Sequence, residues 1–230
     1  VAEPKLRVFL ADDHPIVRKG LELVLSEQTD FTVQGVGTLP ELRAFLIQQA
    51  PDVLVLDVNM PSGSSLEMID EIKRHAEGTA VWWAGHNSWI IKSGDLVVST
   101  DLYLENHTRI APAPITPEEI ATEIDISFVT HAHGDHFNDY TSRILLEKSS
   151  CIFVMPESCL PVARKLKIPD SRIVIAKPRS SFEVKGVKVS ALRAIHGNAN
   201  FAIYYDANLQ DCGYVLNIGG KTFLQPGDSY

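Results

Sequence analysis

The sequence has few cysteines, little basic charge and no long apolar run. Its three cysteines are an odd number without metal-binding spacing, which excludes a disulfide scaffold and favours a reducing compartment. Acidic residues outnumber basic ones 29 to 21, and the net charge of −8 argues against a nucleic-acid-binding surface. No apolar run approaches the roughly 20 residues of a membrane helix, and Val1–Arg7 has no signal-peptide pattern. We therefore expect an acidic, cytoplasmic protein with no nucleic acid and no membrane among its partners.

Two patterns of secondary structure follow one another along the 230 residues. The first alternates short apolar runs with segments of helical periodicity and ends near Glu77–Thr79. Its predicted strands are Leu6–Ala11, Thr32–Val36 and Asp52–Leu56, and its predicted helices are Pro15–Glu27, Pro40–Gln49 and Ser65–His75. A βαβαβα order favours a parallel, doubly wound sheet with helices on both faces.

From Thr79 onward the pattern changes to short strands with few helices, so we expect two domains, residues 1–78 and 79–230. The proline-rich residues 111–117 are predicted to form a loop, and Tyr140–Lys148 and Pro156–Leu166 to form helices. The predicted strands of this part are Val81–Trp83, Trp89–Lys92, Leu96–Ser99, Asp125–Thr130, Ile152–Met155, Arg172–Ala176, Lys188–Leu192, Phe201–Tyr205, Tyr214–Ile218 and Thr222–Gln225.

Three carboxylates follow strands of the first part. Asp12 and Asp13 come after the first predicted strand, and Asp57 comes after the third. Loops at the carboxyl ends of neighbouring parallel strands share one crevice, and grouped carboxylates there repel one another unless a hard cation such as Mg²⁺ joins them. The alternative is that these aspartates cap helices or lie in solvent.

The segments ADDHP at 11–15 and LVLDVNMP at 54–61 resemble the receiver domain of bacterial response regulators over residues 4–78. The resemblance implies that Asp12, Asp13 and the backbone carbonyl of Asn59 bind Mg²⁺. It also implies that Asp57 accepts a phosphoryl group in a phosphorelay, from a partner histidine kinase. The chain departs from the family at Ser65, where glycine is usual, and it lacks the hydroxyl residue and the lysine that follow the family's fourth and fifth strands. These departures count against phosphorylation.

A cluster of metal-ligand side chains follows the predicted strand Asp125–Thr130. Four of them fall within six residues, namely His131, His133, Asp135 and His136. A glycine-containing loop can make such side chains converge, and imidazole with carboxylate is a ligand set for zinc, manganese or iron. Two further candidates, His196 and Asp228, stand at turns after later strands.

The spacing HxHxDH at 131–136, together with His196 and Asp228, resembles the metallo-β-lactamase superfamily over residues 80–230. The resemblance implies one metal held by His131, His133 and His196. It also implies a second metal at Asp135 and His136, with Asp228 bridging the two ions. Asp101 stands where the family places an aspartate that braces the metal loop. His86 also occupies a motif position, where a structural role is an equal alternative.

The opening VWWAGH at 81–86 and the ending GDS at 227–229 look most like L-ascorbate-6-phosphate lactonase and its relatives. The resemblance implies hydrolysis of a lactone or phosphoester by water activated by one or two Zn or Mn ions. In that chemistry Asp135 is a ligand that orients the nucleophile or carries a proton. The superfamily fold has two similar halves, so a chain ending at Tyr230 is expected to lack the last ligand histidine.

Together these patterns predict an α/β and α+β protein. A partial, flavodoxin-like receiver with a parallel sheet is joined to half of a metallo-β-lactamase αββα sandwich, a joint more typical of an engineered or recombined chimera. Three functions compete: a metal-dependent hydrolase, which we favour; a signalling receiver phosphorylated at Asp57; and a catalytically inactive fusion. Two incomplete folds also make a homo-oligomer a reasonable expectation.

Overall fold

The computed structural model describes residues 5–57, 60, 78–105, 113, 115–196 and 210–228. The chain divides into two compact units, one formed by Val1–Trp83 with Ile90–Leu96 and the other by Ala84–Trp89 with Val97–Tyr230. The predicted domain limits 1–78 and 79–230 stay a prediction. The predicted helix Ser65–His75 and strand Phe201–Tyr205 lie outside the described residues. Among the helices that are described, none has the length and apolar character needed to span a bilayer.

The first unit is a parallel sheet with helices in its connections. Its elements are β1 (Leu6–Ala11), α1 (Pro15–Ser26), β2 (Phe31–Val36), α2 (Leu39–Gln48), β3 (Val53–Leu56), β4 (Thr79–Trp83) and β5 (Trp89–Ser93). The strand order is β2-β1-β3-β4-β5. Strand β1 pairs in parallel with β2 and β3, and β3 pairs in parallel with β4. The parallel sheet predicted from the βαβ alternation is therefore confirmed.

The two helices of this unit differ in how they pack. Helix α2 is capped by Thr38, whose side chain accepts from the backbone N–H of Glu41, and it buries three leucines on one face. Helix α1, by contrast, has no buried residue within the described structure, and Ile16 is 88% exposed. Of the two helices described in the first unit, α2 is therefore the one that contributes to the core.

The second unit contains two sheets. Its strands are β6 (Leu96–Thr100), β7 (Ile126–Phe128), β8 (Ile152–Pro156), β9 (Ile173–Ala176), β10 (Ser181–Val184), β11 (Val187–Arg193), β12 (Cys212–Ile218) and β13 (Lys221–Gln225). Its α-helices are α3 (Pro117–Ile120), α4 (Asp139–Lys148) and α5 (Leu160–Lys165). Strands β6-β7-β8-β9 are parallel, and β10-β11-β12-β13 form an antiparallel sheet.

The two sheets of this unit meet at the end of β7. The buried hydroxyl of Tyr214, on β12, donates to the carbonyl of Val129 at 2.8 Å, and its ring packs on Phe128. The backbone N–H of Cys212 donates to the carbonyl of Thr130 at 3.1 Å. Strand β12 therefore fixes the point at which the histidine loop begins.

Two elements differ from the sequence prediction. Pro117 begins helix α3, although a loop is predicted to extend to residue 117. The reason is a capping box, in which the Thr116 side chain accepts from the N–H of Glu119 while the Glu119 carboxylate accepts from the N–H of Thr116. Strand β10 (Ser181–Val184) is not predicted, because an alternation of only four residues is a weak signal; it pairs at the edge of its sheet.

Candidate functional site

The loop between β7 and α4 is closed by backbone hydrogen bonds. The N–H groups of His136 and Phe137 both donate to the carbonyl of His133, at 3.0 and 2.7 Å. Asn138 caps α4 by accepting from the N–H of Thr141, and its side-chain amide donates to the carbonyl of Gly134 at 3.2 Å. The tight loop brings alternate side chains to one side, where a helix would separate them.

Three imidazoles converge in this loop. Nδ1 of His133 lies 3.1 Å from Nε2 of His131 and 3.0 Å from Nε2 of His196. One nitrogen from each ring lies within 4.8 Å of the others, a spacing that one cation can fill. Burial and the neighbouring imidazoles lower the pKa of His131 to about 3, so this ring is neutral near pH 7 and offers a lone pair.

A second group adjoins the first. Nε2 of His136 lies 3.2 Å from Oδ1 of Asp228 and 3.9 Å from Oδ2 of Asp135, and Asp135 lies 3.6 Å from Nε2 of His86. His131, His136 and Asp228 also form a group within 4.8 Å. Asp228 therefore has donors of both groups near it.

The charges of this second group depend on one another. Burial lowers the pKa of His136, but bonds and charges from Asp101 and Asp228 outweigh it and raise that pKa to about 10. His136 in turn lowers the pKa of Asp228 to about 2. Nε2 of His136 is nevertheless buried with no hydrogen bond of good geometry among the described residues.

The buried carboxylate of Asp101 fixes the proton positions on two rings. Its Oδ2 accepts from Nδ1 of His136 at 2.9 Å and from the hydroxyl of Thr130 at 2.8 Å. The only hydroxyl hydrogen of Thr130 is used in the hydrogen bond to Asp101. The hydroxyl oxygen of Thr130 can therefore only accept a hydrogen bond from Nδ1 of His131, 3.0 Å away. Both rings therefore carry a proton on Nδ1 and direct Nε2 into the site, and on the neutral ring of His131 that Nε2 offers a lone pair.

The backbone of Asp101 is also held in place. It has a left-handed conformation, with φ of 45°, a conformation that favours glycine and costs energy for other residues. Its N–H donates to the carbonyl of Phe128 at 2.8 Å. The hydroxyl of Ser88 donates to its carbonyl at 2.7 Å and accepts from the N–H of Tyr103. The strain is thus offset by bonds that orient the carboxylate.

These residues fit a bound metal. A neutral imidazole with Nε2 directed inward, as in His131, and an ionised carboxylate such as that of Asp228 are donors that zinc, manganese and iron take. The buried Nε2 of His136 faces the site without a hydrogen bond among the described residues, and a cation there would displace its proton and take this nitrogen as a ligand.

The acidic cluster of the first unit is arranged differently. Nδ1 of His14 lies 3.0 Å from Oδ1 of Asp13, 3.4 Å from Oδ1 of Asp12 and 3.7 Å from Oδ2 of Asp57. The side chain of His14 is 67% exposed. The structure thus brings the three predicted carboxylates together and adds a histidine to them, while Asn59 lies outside the described residues.

Sequence reasoning missed several supporting residues. The hydroxyl of Thr130 links Asp101 to His131 by hydrogen bonds, and that of Ser88 holds the backbone of Asp101. Gln225 is buried, and its side-chain amide donates to the carboxylate of Asp101. Gln225 had one signal, because it is a polar residue at an inward position of the alternating strand β13. Neither Thr130 nor Ser88 had a comparable signal.

Comparison with known proteins identifies two families. Residues 8–90 match the model of the response regulator receiver domain, and residues 80–230 match that of the beta-lactamase superfamily domain. An uncharacterized transcriptional regulatory protein of Bacillus subtilis is 41% identical over 78 residues, which are 34% of this chain and 36% of that protein. A metal-dependent hydrolase of Saccharolobus solfataricus is 22% identical over 147 residues, which are 64% of this chain and 60% of that protein.

Solved structures are similar as well. A proposed metal-dependent hydrolase of Parabacteroides distasonis aligns with a TM-score of 0.50 at 20% identity, over 65% of this chain and 60% of that one, which shows the fold. The chain spans less than two thirds of the length of these relatives. It joins a segment that matches the receiver-domain model to a second domain, and through residues 80–230 it belongs to the beta-lactamase superfamily.

Proposed function

We propose that the second unit is a metal-dependent hydrolase centre that acts on a lactone or a phosphoester. The observation that carries this proposal is the convergence of His131, His133 and His196 beside the His136–Asp228 pair. Six ligand-type side chains from three separate chain segments meet there, and a buried carboxylate orients two of them. Similarity to metal-dependent hydrolases supports the same chemistry.

The candidate ligands form two groups, each of which could hold one metal ion. His131, His133 and His196 would hold one Zn or Mn ion, Asp135 and His136 would hold a second, and Asp228 would contact both. A metal there supplies a water of lowered pKa and polarises an oxygen of the substrate.

The chain's own residues provide orientation and proton handling. Asp101 and Thr130 keep the Nδ1 protons in place, so the ligand nitrogens need no rearrangement before binding. Asp135 is 43% exposed and lies 3.6 Å from His86, so it can pass a proton between the site and solvent. Its exposed edge is where a substrate would enter.

Metal content per chain tests the proposal. Elemental mass spectrometry of wild type is expected to give about one or two equivalents of Zn or Mn, and His133→Ala is expected to lose them. His14→Ala is the matched control, since it removes an exposed histidine from the acidic cluster. Loss of metal in His14→Ala alone would place the ion in the first unit, and absence of metal from all three proteins would refute the proposal.

Substrate class requires a separate assay. Hydrolysis of simple lactones and of aryl phosphate mono- and diesters should be measured with wild type and Asp135→Asn. We expect turnover of one class, lost with Asp135→Asn while the ion held by the three histidines persists. A metal-loaded wild type that hydrolyses neither class would contradict the assignment and favour an inactive fusion.

A second function is favoured by the acidic cluster. The carboxylates of Asp12, Asp13 and Asp57 share one site, and we propose that Mg²⁺ bound there supports transfer of a phosphoryl group to Asp57, with a histidine kinase as donor. Incubation with acetyl phosphate and Mg²⁺ should then add the mass of one phosphoryl group, and Asp57→Asn should abolish the addition. An unchanged mass in wild type would contradict signalling by this unit.

A further inference from the structure

We infer that Gln225 is a positioning residue for the second unit's site. It ties the turn that carries Asp228 to the carboxylate of Asp101. The inference rests on the proposed metal-dependent function and extends it to a side chain that contacts neither a metal ligand's donor atom nor the substrate position.

The amide of Gln225 lies at the junction of three segments. Its Nε2 is 3.0 Å from the carbonyl of Asn87, 3.1 Å from the hydroxyl of Thr100 and 3.3 Å from Oδ2 of Asp101. A backbone carbonyl and a carboxylate only accept, so the atom facing them must be the amide nitrogen. Two N–H hydrogens therefore serve three acceptors in a buried place, where an unmade bond is costly.

Backbone packing holds the same turn from two sides. A Cβ at Gly213 would lie 3.0 Å from the carbonyl of Gln225, and a Cβ at Gly227 would lie 2.9 Å from Oγ1 of Thr130. Gly227 also has a φ of +63°, which other residues rarely adopt. The turn between Gln225 and Asp228 is thus pressed against the residue that precedes the histidine loop.

Asp228 stands three residues after Gln225, and both of its ends contact the site. Its Oδ1 lies 3.2 Å from Nε2 of His136, and its carbonyl lies 3.1 Å from Nδ1 of His196. The amide of Gln225 thereby links the turn that places Asp228 to Asp101, the carboxylate that orients His136. Removal of this amide should let the turn drift while the histidines keep their own supports.

The test uses Gln225→Met, which keeps the length of the side chain and removes its donors. Metal affinity is measured by competition with a chelator, and the Co²⁺-loaded protein is examined by visible absorption. We expect about tenfold weaker binding of one ion, in line with other supporting residues, and a changed Co²⁺ spectrum. Thr222→Val, an exposed change on the same strand, should alter neither. Gln225→His, which retains an N–H donor, should restore part of the affinity.

A double-mutant cycle separates positioning from general stability. In the Asp228→Asn background, Gln225→Met should have little further effect on metal affinity, because the carboxylate that it positions is gone. Full additivity of the two changes would overturn the inference.

Hydrogen exchange of the backbone amides of Gly227 and Asp228 in metal-free protein gives a readout without metal. Faster exchange in Gln225→Met, combined with a wild type that binds no metal, would retain the positioning role and refute the hydrolase proposal. Metal binding in wild type with unchanged affinity, spectrum and exchange in Gln225→Met would refute the positioning role alone.

Discussion

The two clusters of ligand-type residues in this chain differ in what surrounds them. In the first unit, Asp12, Asp13 and Asp57 lie at strand ends, and the exposed imidazole of His14 lies 3.0 to 3.7 Å from all three carboxylates. In the second unit, the ligand residue His136 is oriented by the fully buried carboxylate of Asp101, which also accepts hydrogen bonds from Thr130.

This difference has a consequence for metal binding. We expect the acidic cluster to depend on a bound ion for its arrangement, whereas the side chains of the histidine site are oriented before an ion binds. Carboxylates that face one another near solvent repel, so we expect a bound cation to stabilise the acidic cluster. The histidine site has its ring orientations fixed by Asp101 and Thr130 before any ion binds. The second unit should therefore respond more strongly to substitutions outside its ligands.

The largest expected effect is that of Asp101→Ala. Its loss would leave Nδ1 of His136 and the N–H and hydroxyl of Thr130 buried without their acceptor. We expect the free energy of unfolding of metal-free protein to fall by about 3–5 kcal/mol in urea denaturation. The matched change Asp57→Ala, at a partly exposed carboxylate, should cost less than about 1 kcal/mol. Equal losses in the two variants would remove the distinction between the clusters.

The second-largest expected effect is the loss of thermal stability when metal is removed from the second unit. An ion that binds only the folded second unit stabilises it by about 4 kcal/mol when free metal is a thousandfold above Kd. Chelation should therefore lower the Tm of wild type clearly and leave that of His133→Ala unchanged, as measured by scanning calorimetry. A fall of the same size in both proteins would place the stabilising ion outside the three-histidine group.

A smaller effect is expected at the turn before Asp228. Gly227→Ala combines a positive φ with a contact of 2.9 Å to Thr130, whereas Gly220→Ala has a positive φ but no described atom within 4 Å of the new Cβ. Gly220→Ala should cost about 1 kcal/mol, and Gly227→Ala should cost about 1–3 kcal/mol more and weaken metal binding. If both changes destabilise alike in urea denaturation, the close approach of Gly227 to Thr130 is not a constraint.

Sequence patterns predicted features formed by neighbouring residues in this chain, and they missed contacts between residues far apart in sequence. The alternation of apolar runs located β1 and the parallel order of the first unit, and the HxHxDH spacing located the histidine loop. The hydrogen bond from Gln225 to Asp101 joins residues 124 positions apart, which no periodicity or spacing records. Such a contact depends on which strands lie next to one another. Gln225, on β13, reaches Asp101 only in the folded chain.

The smallest expected effect concerns helix α1 of the first unit. Ile16 is 88% exposed, whereas Leu42 on α2 is fully buried. Ile16→Gln should therefore change the free energy of unfolding by less than about 0.5 kcal/mol, and Leu42→Ala should reduce it by about 2–5 kcal/mol. Urea denaturation at two protein concentrations checks both values. A large loss with Ile16→Gln, growing with protein concentration, would show that a second copy covers α1. The first unit would then be as dependent on packing as the second, and the contrast between them would lie only in their sites.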